Sequence, residues 1–316
     1  MSLAFIFPGQ GSQAVGMGKA LADASPAARA VFAEVDEALG QKLSKLMWEG
    51  PEADLTLTEN AQPALMAVSL AVMRVLEAEH GVKLQDVAKF VAGHSLGEYS
   101  ALAAAGSFSL SDAARLLKTR GRAMQAATPV GTGAMAALLG LDYADAVAVA
   151  EAAAQNEICQ AANDNAPGQV VVSGHKAAVE RAVILAKEKG AKRAVMLTVS
   201  APFHCALMQP AAEAMANALA NTPMRPPTVP VIANVFAAPL SDTALIRKAL
   251  VEQVTGTVRW RESMAHMAAQ GVKLFCEAGA GKVLSGLVKR TAPEASGLAF
   301  GTPEDIAQSV AQLKQG

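Results

Sequence analysis

The sequence predicts an α/β fold, with a mostly parallel sheet in a large unit and a smaller unit inserted into it. Three observations predict it. Short apolar runs at residues 3–7, 90–93, 231–234 and 273–277 are separated by long helical text, the spacing of parallel strands joined by crossovers. Between residues 128 and 203 the text changes to a regular alternation of short strands and helices. The chain of 316 residues is 52% apolar, enough for a large core and near the length at which one core divides into two.

The elements follow in order. Leu3-Ala4-Phe5-Ile6-Phe7 is a continuous apolar run, the pattern of a strand buried on both faces, and it stops at the breaker cluster Pro8-Gly9-Gln10-Gly11-Ser12. Ser25-Pro26 reads as a helix start. A second helix is predicted after Asn60, with Pro63 near its first turn and its end before Gly81. The strand Phe90-Val91-Ala92-Gly93 runs straight into His94-Ser95-Leu96-Gly97-Glu98, and helical text resumes at Tyr99 until Gly106. A helix starting at Ser111-Asp112 carries Arg115, Lys118, Arg120, Arg122 and Met124. After Thr128-Pro129-Val130-Gly131, strands are predicted over 134–139, 158–162, 169–172 and 193–199, with helices over 143–155 and 177–189. The order β-α-β-β-α-β is the split arrangement of a ferredoxin-like unit. The predicted domains are therefore 1–127 with 204–316, and 128–203 inserted between them.

Composition excludes several classes. Lys plus Arg is 27 and Asp plus Glu is 28, so the basic excess of a nucleic-acid binder is missing. No unbroken apolar span reaches the roughly 20 residues of a membrane helix. The 3–7 run has no basic segment before it and is too short for a signal-peptide core. The three cysteines, Cys159, Cys205 and Cys276, are odd in number and far apart, which suits neither a disulfide framework nor a zinc site. The expectation is a soluble, cytoplasmic protein without a metal.

Gly93-His94-Ser95-Leu96-Gly97 matches the G-x-S-x-G elbow, which needs a strand before the serine and a helix after it. The tight turn exposes the Ser95 hydroxyl, and small flanking residues let the backbone turn and substrate approach. The helix beginning after Ser95 points N–H groups at the reacting centre, so the Leu96 N–H is a candidate oxyanion donor. Five histidines compete as base: His80 at a helix end, His94 beside the serine, His175 in the small unit, His266 in helical text, and His204. His204 lies in Ser200-Ala201-Pro202-Phe203-His204-Cys205, where the chain re-enters the large unit and faces the cleft between the two. No aspartate stands out as a third member. The prediction is a Ser–His dyad whose imidazole is oriented by a backbone carbonyl and which draws more on oxyanion stabilisation.

Phe7-Pro8-Gly9-Gln10-Gly11-Ser12-Gln13, Gly93-His94-Ser95-Leu96-Gly97-Glu98 and Phe203-His204 resemble the bacterial malonyl-CoA:acyl carrier protein transacylases. They are also similar to the acyltransferase domains of fatty-acid and polyketide synthases. The likeness runs on through Arg120-Gly121 with Met124, Asn163-Asp164-Asn165-Ala166-Pro167-Gly168-Gln169, Gln253, Trp260 and 277–284, nearly the whole chain. It implies an α/β-hydrolase-like large domain with an inserted ferredoxin-like domain. It implies Ser95 as nucleophile, His204 as base, and the Gln10 and Leu96 N–H groups as the oxyanion hole. It implies Arg120, Gln10, Phe203 and Asn163 as substrate-binding residues, with the Gln253 main-chain carbonyl orienting the histidine. Helical text alone reads Arg115, Lys118, Arg120 and Arg122 as solvated charges; the resemblance singles out Arg120. The chemistry fits, because a buried malonyl carboxylate needs a charged, forked partner. Two departures stand out. Gly279-Ala280-Gly281 replaces the usual Gly-Pro-Gly, and Cys205 stands where many members have serine.

The activity implied is malonyl transfer from malonyl-CoA to the phosphopantetheine thiol of acyl carrier protein through a malonyl-serine ester, in fatty-acid biosynthesis. Service in a polyketide pathway, a serine thioesterase or esterase on the same elbow, and a carrier-docking module with a degenerate site are the alternatives. Phe203 is expected to crowd a 2-methyl branch. No cofactor is implied, since coenzyme A is part of the substrate. The expected partners are acyl carrier protein, bound transiently, and malonyl-CoA, with no nucleic acid or membrane, and the chain is expected to be a monomer. Lys192-Arg193 and Lys289-Arg290 are candidate contacts for an acidic carrier.

Overall fold

The computed structural model describes residues 2–313; residues 1 and 314–316 of the predicted large domain lie outside the described residues. Strands are β1 (Leu3–Phe7), β2 (Ala88–Gly93), β3 (Gly133–Leu139), β4 (Cys159–Ala166), β5 (Gln169–His175), β6 (Arg193–Met196), β7 (Val231–Ala233), β8 (Ala238–Leu240), β9 (Leu274–Ala278) and β10 (Ser296–Phe300).

The first sheet has the order β10-β9-β1-β2-β7-β8. Every neighbouring pair is parallel except β7 with β8, so the mostly parallel sheet predicted for the large unit is present. β1 sits inside it and is buried along its whole length, which explains why its sequence does not alternate. The register Phe7↔Gly93 brings the carboxyl ends of β1 and β2 level. The Gly9-Gln10 loop and the Ser95 turn therefore leave the sheet side by side, at the edge where open α/β sheets carry their sites.

The second sheet has the order β4-β5-β3-β6 and is antiparallel throughout, the ferredoxin-like arrangement. Its period of two separates two faces. Ala136, Leu138, Val170 and Val172 pack with the helices Tyr143–Ala154 and Lys176–Glu188, whereas Met135 and Val171 join the core of the large sheet. The two sheets are stitched by residues 257–258. Val258 N–H donates to Ala162 O at 2.9 Å, Asp164 N–H donates to Val258 O at 2.9 Å, and Thr257 Oγ1 donates to Ala161 O at 2.6 Å. This docking holds Asn163-Asp164-Asn165, polar text with poor strand propensity, inside β4, beyond the end predicted at 162.

Two further expectations are corrected, and one strand is added. The helix predicted after Asn60 begins at Thr58 and takes Pro63 into its interior. Its apolar window is long enough to cross a bilayer but is 83% buried, which makes it a core helix. The strand predicted over 193–199 ends at Met196; one more backbone bond, from Leu197 N–H to Met135 O at 2.8 Å, follows before the chain leaves β3, and residues 197–200 line the cavity described below. β10, an edge strand of small and mixed residues, had no predicted counterpart.

The Leu110–Ala126 helix crosses the Thr58–His80 helix at Gly121, where a Cβ would fall 2.5 Å from Glu59 Cα and 2.6 Å from Thr58 O. This close crossing seats Arg120 against Gln62. Gly121→Ala should force the helices apart and cost about 1–3 kcal/mol. Thermal unfolding should show Tm lowered by roughly 2–4 °C per kcal/mol; an unchanged Tm would contradict the crossing.

Candidate active site

Ser95 stands at φ 54°, in the left-handed region, between β2 and the Gly97–Ala104 helix. For a non-glycine residue this conformation costs roughly 1–2 kcal/mol. The turn is possible because Gly93 and Gly97 lack side chains: a Cβ on Gly93 would fall 1.8 Å from the Gly97 carbonyl, and one on Gly97 2.3 Å from Phe7 O. Gly97 N–H donates to His94 O and Glu98 N–H to Ser95 O, at 2.9 and 3.0 Å, which starts the helix. The Ser95 hydroxyl is thereby pushed out of the turn, as the elbow motif predicts.

His204 also has a positive φ, 59°, and its Nε2 lies 2.8 Å from Ser95 Oγ. Its Nδ1 lies 2.8 Å from the main-chain carbonyl of Gln253. Gln253 is in the last turn of the Thr243–Thr255 helix, where carbonyls have no partner further along the helix. The histidine thus takes up a helix-end carbonyl, and the negative end of the helix dipole faces the imidazolium that would form on proton transfer. Nδ1 donating to that carbonyl leaves Nε2 as the acceptor for the serine proton. Burial, then the nearby positive charge of Arg120, pushes the His204 pKa down from 6.5 to about 3, so its imidazole is neutral at neutral pH.

The other histidines are placed elsewhere. His80 ends the Thr58–His80 helix before Gly81, and His175 Nδ1 accepts from Ile158 N–H. His266 lies in the Trp260–Ala269 helix against Phe90. His94 packs at a tilt against Trp260, and its Nε2 lies 2.8 Å from Asn165 Oδ1, tying the serine turn to β4.

The two proposed oxyanion donors are unclaimed. Neither the Gln10 N–H nor the Leu96 N–H donates to any group among the described residues. The Gln10 side chain is turned to Thr58 Oγ1, at 3.3 Å, and Thr58 in turn lies 2.9 Å from Ser200 Oγ. Gln10 and Leu96 both border the cavity that holds Ser95.

Arg120 separates from its basic neighbours by burial. Arg115 pairs with Asp112, while Lys118 and Arg122 share Glu59. Lys118 is buried too, at 9% exposed, but keeps Glu59 as its counter-ion; Arg120 goes deeper, is 1% exposed, and has no carboxylate paired with it among the described residues. Its guanidinium donates to Gln62 Oε1 at 2.9 Å, Gln253 Oε1 at 2.8 Å and Ser95 Oγ at 3.1 Å, and lies over the Tyr99 ring. Its Nε has no partner. The acid reached through this network is Glu98, which accepts from Gln253 Nε2 at 2.9 Å. Burial raises the Glu98 pKa to about 7 against the opposing pull of Asn234 N–H, Gln253 and Arg120.

These groups face one cavity of about 550 Å³ between the two sheets. Ser95, His204, Gln10, Leu96, Arg120, Phe203 and Asn163 all line it; Gln253 lies behind, fully buried. A nucleophilic hydroxyl, a neutral base, two free N–H donors and an unpaired guanidinium within one enclosure suit acyl transfer to or from an anionic acyl group.

The model of the acyl transferase domain matches residues 4–311. The chain belongs to the acyl transferase family. Within the family it is similar to the malonyl CoA-acyl carrier protein transacylase of Bacillus subtilis, 47% identical over 314 residues, spanning 99% of this chain and 98% of that one. It is also similar to the crystal structure of an acyl-carrier-protein-S-malonyltransferase from Bartonella henselae, 57% identical with TM-score 0.97 over 99% of this chain and 100% of the other. A third likeness is a type II PKS acyl-carrier protein in complex with its malonyl-transacylase. Identity there is 43% and the TM-score 0.95, over 99% of this chain and 100% of that one.

In this acyl transferase, Gln62 and Asn234 belong to the site's hydrogen-bond network, and the sequence alone did not single them out. Both are polar residues buried at 1% exposure, and the partners that place them in the site, Arg120 for Gln62 and Gly93 and Ser95 for Asn234, are 58 to 141 residues away. A polar residue directly after a short apolar strand is the only local signal for Asn234.

The lowered His204 pKa has a testable sign. The base form persists as pH falls through 6.5, so labelling of Ser95 by a neutral serine-directed phosphonate should stay level there and decline only toward the low value. Arg120→Met removes one cause of the lowering and should move the acid limb upward. A half-loss at or above pH 6.5 in the unaltered protein would contradict a buried, neutral His204.

Proposed function

We propose that the protein transfers a malonyl group from malonyl-CoA to the phosphopantetheine thiol of an acyl carrier protein through a malonyl ester on Ser95. The observation that carries this reading is Arg120, a buried guanidinium without a carboxylate, whose fork lies 3.1 Å from Ser95 Oγ. A buried unpaired charge is costly, and an incoming acyl carboxylate would relieve that cost while fixing the acyl chain. Arginine suits the role because its planar fork can bind a carboxylate through two hydrogen bonds.

The steps follow from the geometry. His204 Nε2 takes the Ser95 proton as Oγ attacks the thioester carbon. The carbonyl oxygen becomes an oxyanion, held by the Gln10 and Leu96 N–H groups. Collapse breaks the carbon–sulfur bond, and the imidazolium returns its proton to the departing coenzyme A thiolate. The carrier's thiol then gives its proton to His204 and attacks the ester carbonyl, and Ser95 recovers its proton when the ester breaks. The Gln253 carbonyl holds the histidine ring throughout. Phe203 and Asn163 would border the acyl chain, Phe203 opposing a 2-methyl branch by about 1–3 kcal/mol. This route uses side chains and backbone groups alone and calls on no cofactor.

The reading extends to the rest of the chain. Residues 1–127 with 204–316 form the large catalytic domain, and 128–203 the inserted one, with the cavity at their junction. The protein acts as a cytoplasmic monomer, meets the carrier transiently, and binds neither nucleic acid nor membrane. Lys192, Arg193, Lys289 and Arg290 are exposed. Arg290 is committed to Gln169 Oε1 and Pro167 O, which leaves the other three freer to meet an acidic carrier. We assign the activity to fatty-acid synthesis. The likeness to a type II PKS transacylase supports a polyketide pathway as the second reading, and relative rates with the two kinds of carrier distinguish them.

Intact-mass measurement after brief mixing with malonyl-CoA should show one malonyl unit added, and none in Ser95→Ala. The ester should persist in water and vanish on addition of holo carrier protein; rapid loss in water alone would mark a hydrolase. Arg120→Ala should lower kcat/KM for malonyl-CoA by a factor on the order of 30 to several thousand, corresponding to about 2–5 kcal/mol. The same variant should spare or improve use of acetyl-CoA, which has no carboxylate. Equal losses with both substrates would remove Arg120 from acyl recognition.

A further inference from the structure

β2 and β7 pair through Val91↔Val231 and Ala92↔Ile232, and their backbone ladder goes no further. Asn234, two residues beyond Ile232, takes over with its side chain. Its Nδ2 donates to Gly93 O at 2.7 Å, and its Oδ1 accepts from Ser95 N–H at 2.8 Å. One carboxamide thus occupies the two peptide groups that flank His94. A carboxamide presents a donor and an acceptor side by side, as the peptide of a neighbouring strand does. We propose that Asn234 is a positioning residue for the reaction: its carboxamide extends the strand ladder by one rung and holds Ser95 in the left-handed conformation that aims Oγ at His204. This inference rests on Ser95 being the nucleophile.

Several features point to a clamp with a fixed geometry. Asn234 is 1% exposed, and its backbone is itself held: its N–H donates to Glu98 Oε2 at 3.0 Å, and its carbonyl accepts from Arg259 N–H at 3.0 Å. The amide can sit only one way round, because the reverse would set a donor against the Ser95 N–H and an acceptor against Gly93 O. The carbonyl side of Ser95 is pinned by Gln253 Nε2, at 2.9 Å, which also reaches Asn234 Oδ1 at 3.5 Å. Gln253 Nε2 and Asn234 N–H converge on the same buried Glu98 oxygen. Ser95 is thereby gripped at its N–H from the β7 end and at its C=O from the end of the Thr243–Thr255 helix. Asn234 itself does not line the cavity, so it reaches substrate only through Ser95. Released from the clamp, Ser95 could relax toward negative φ and carry Oγ away from Nε2, and small misplacements of a reacting atom reduce rates steeply.

The test compares the unaltered enzyme, Asn234→Ala and Asn234→Asp in single-turnover ester formation from malonyl-CoA. Hydrogen exchange at the Ser95 amide and thermal unfolding are followed alongside. Asn234→Ala should lower the rate of ester formation at saturation by roughly 10- to 100-fold, leave KM for malonyl-CoA within about threefold, and speed exchange at the Ser95 amide. Asn234→Asp, which keeps the acceptor for Ser95 N–H but loses the donor to Gly93 O, should fall between the two. A folded Asn234→Ala with the unaltered rate overturns the proposal, as does one that changes KM alone. If Asn234→Ala does not fold, exchange in the unaltered enzyme decides: a protected Ser95 amide supports the clamp, and one that exchanges like an exposed amide overturns it. Absence of any ester on the unaltered enzyme would instead refute the preceding assignment of Ser95, and this inference with it.

Discussion

The guanidinium of Arg120 is a charge enclosed by the fold without a counter-carboxylate, and much of the site is organised around that fact. Gln62 and Gln253 turn their amide oxygens toward it, and Tyr99 presents a ring face at 5.6 Å. These neutral groups solvate the cation without cancelling it. An arginine already neutralised by an acid would have little affinity left for an acidic ligand. Glu98 is near enough to matter electrostatically, yet the Gln253 carboxamide stands between it and Arg120. The protein thus supplies partial compensation, enough to keep the charge folded in and too little to saturate it.

Gln253 links this charge to the rest of the chemistry. Its main-chain carbonyl holds His204, its Oε1 holds Arg120, and its Nε2 holds the Ser95 carbonyl and Glu98. One residue at a helix end therefore touches the Ser95 backbone, His204 and Arg120. Both Ser95 and His204 occupy left-handed backbone conformations, and each is fixed by partners far away in sequence. Such strain persists only where the surroundings over-determine it. Here the surroundings are the ends of β1, β2 and β7 and the last turn of the Thr243–Thr255 helix.

What could be read from the chain divides along the same line between local and distant causes. The Ser95 turn was legible because its determinants, Gly93, Gly97 and the flanking strand and helix, lie within a few residues of one another. The antiparallel small sheet was legible from its alternation of strand and helix text. His204 was recognisable by where the chain returns to the large unit, although nothing local sets it apart from His94 or His266. Arg120 was legible only through family likeness, since its three basic neighbours have the same helical context and differ by facing Glu59, Asp112 or solvent. Asn163 to Asn165 fall outside the predicted strand because what keeps them in β4 is a backbone pairing with Val258, nearly a hundred residues away. The early end of β6 has a similar origin, because after the Leu197 N–H bond to Met135 O residues 198–200 border the cavity instead of extending the β3 pairing.

The electrostatics also bear on how a histidine without a carboxylate would serve as the proposed base. His204 is oriented by a carbonyl, and Arg120 adds to the burial that keeps its imidazole unprotonated. Without an anion beside Arg120 this makes the imidazole a weak base. In the proposed reaction, a malonyl carboxylate seated on Arg120 brings a negative charge to the place from which the positive field originates. The imidazole then becomes more basic in the complex than in the free protein. A neutral acyl group supplies no such charge and leaves the base weak. Selection for the anionic substrate would therefore act twice, once through binding at the guanidinium and again through the proton affinity of the histidine. A triad carboxylate would raise the basicity of the imidazole in the free enzyme as well, and so erase the second contribution.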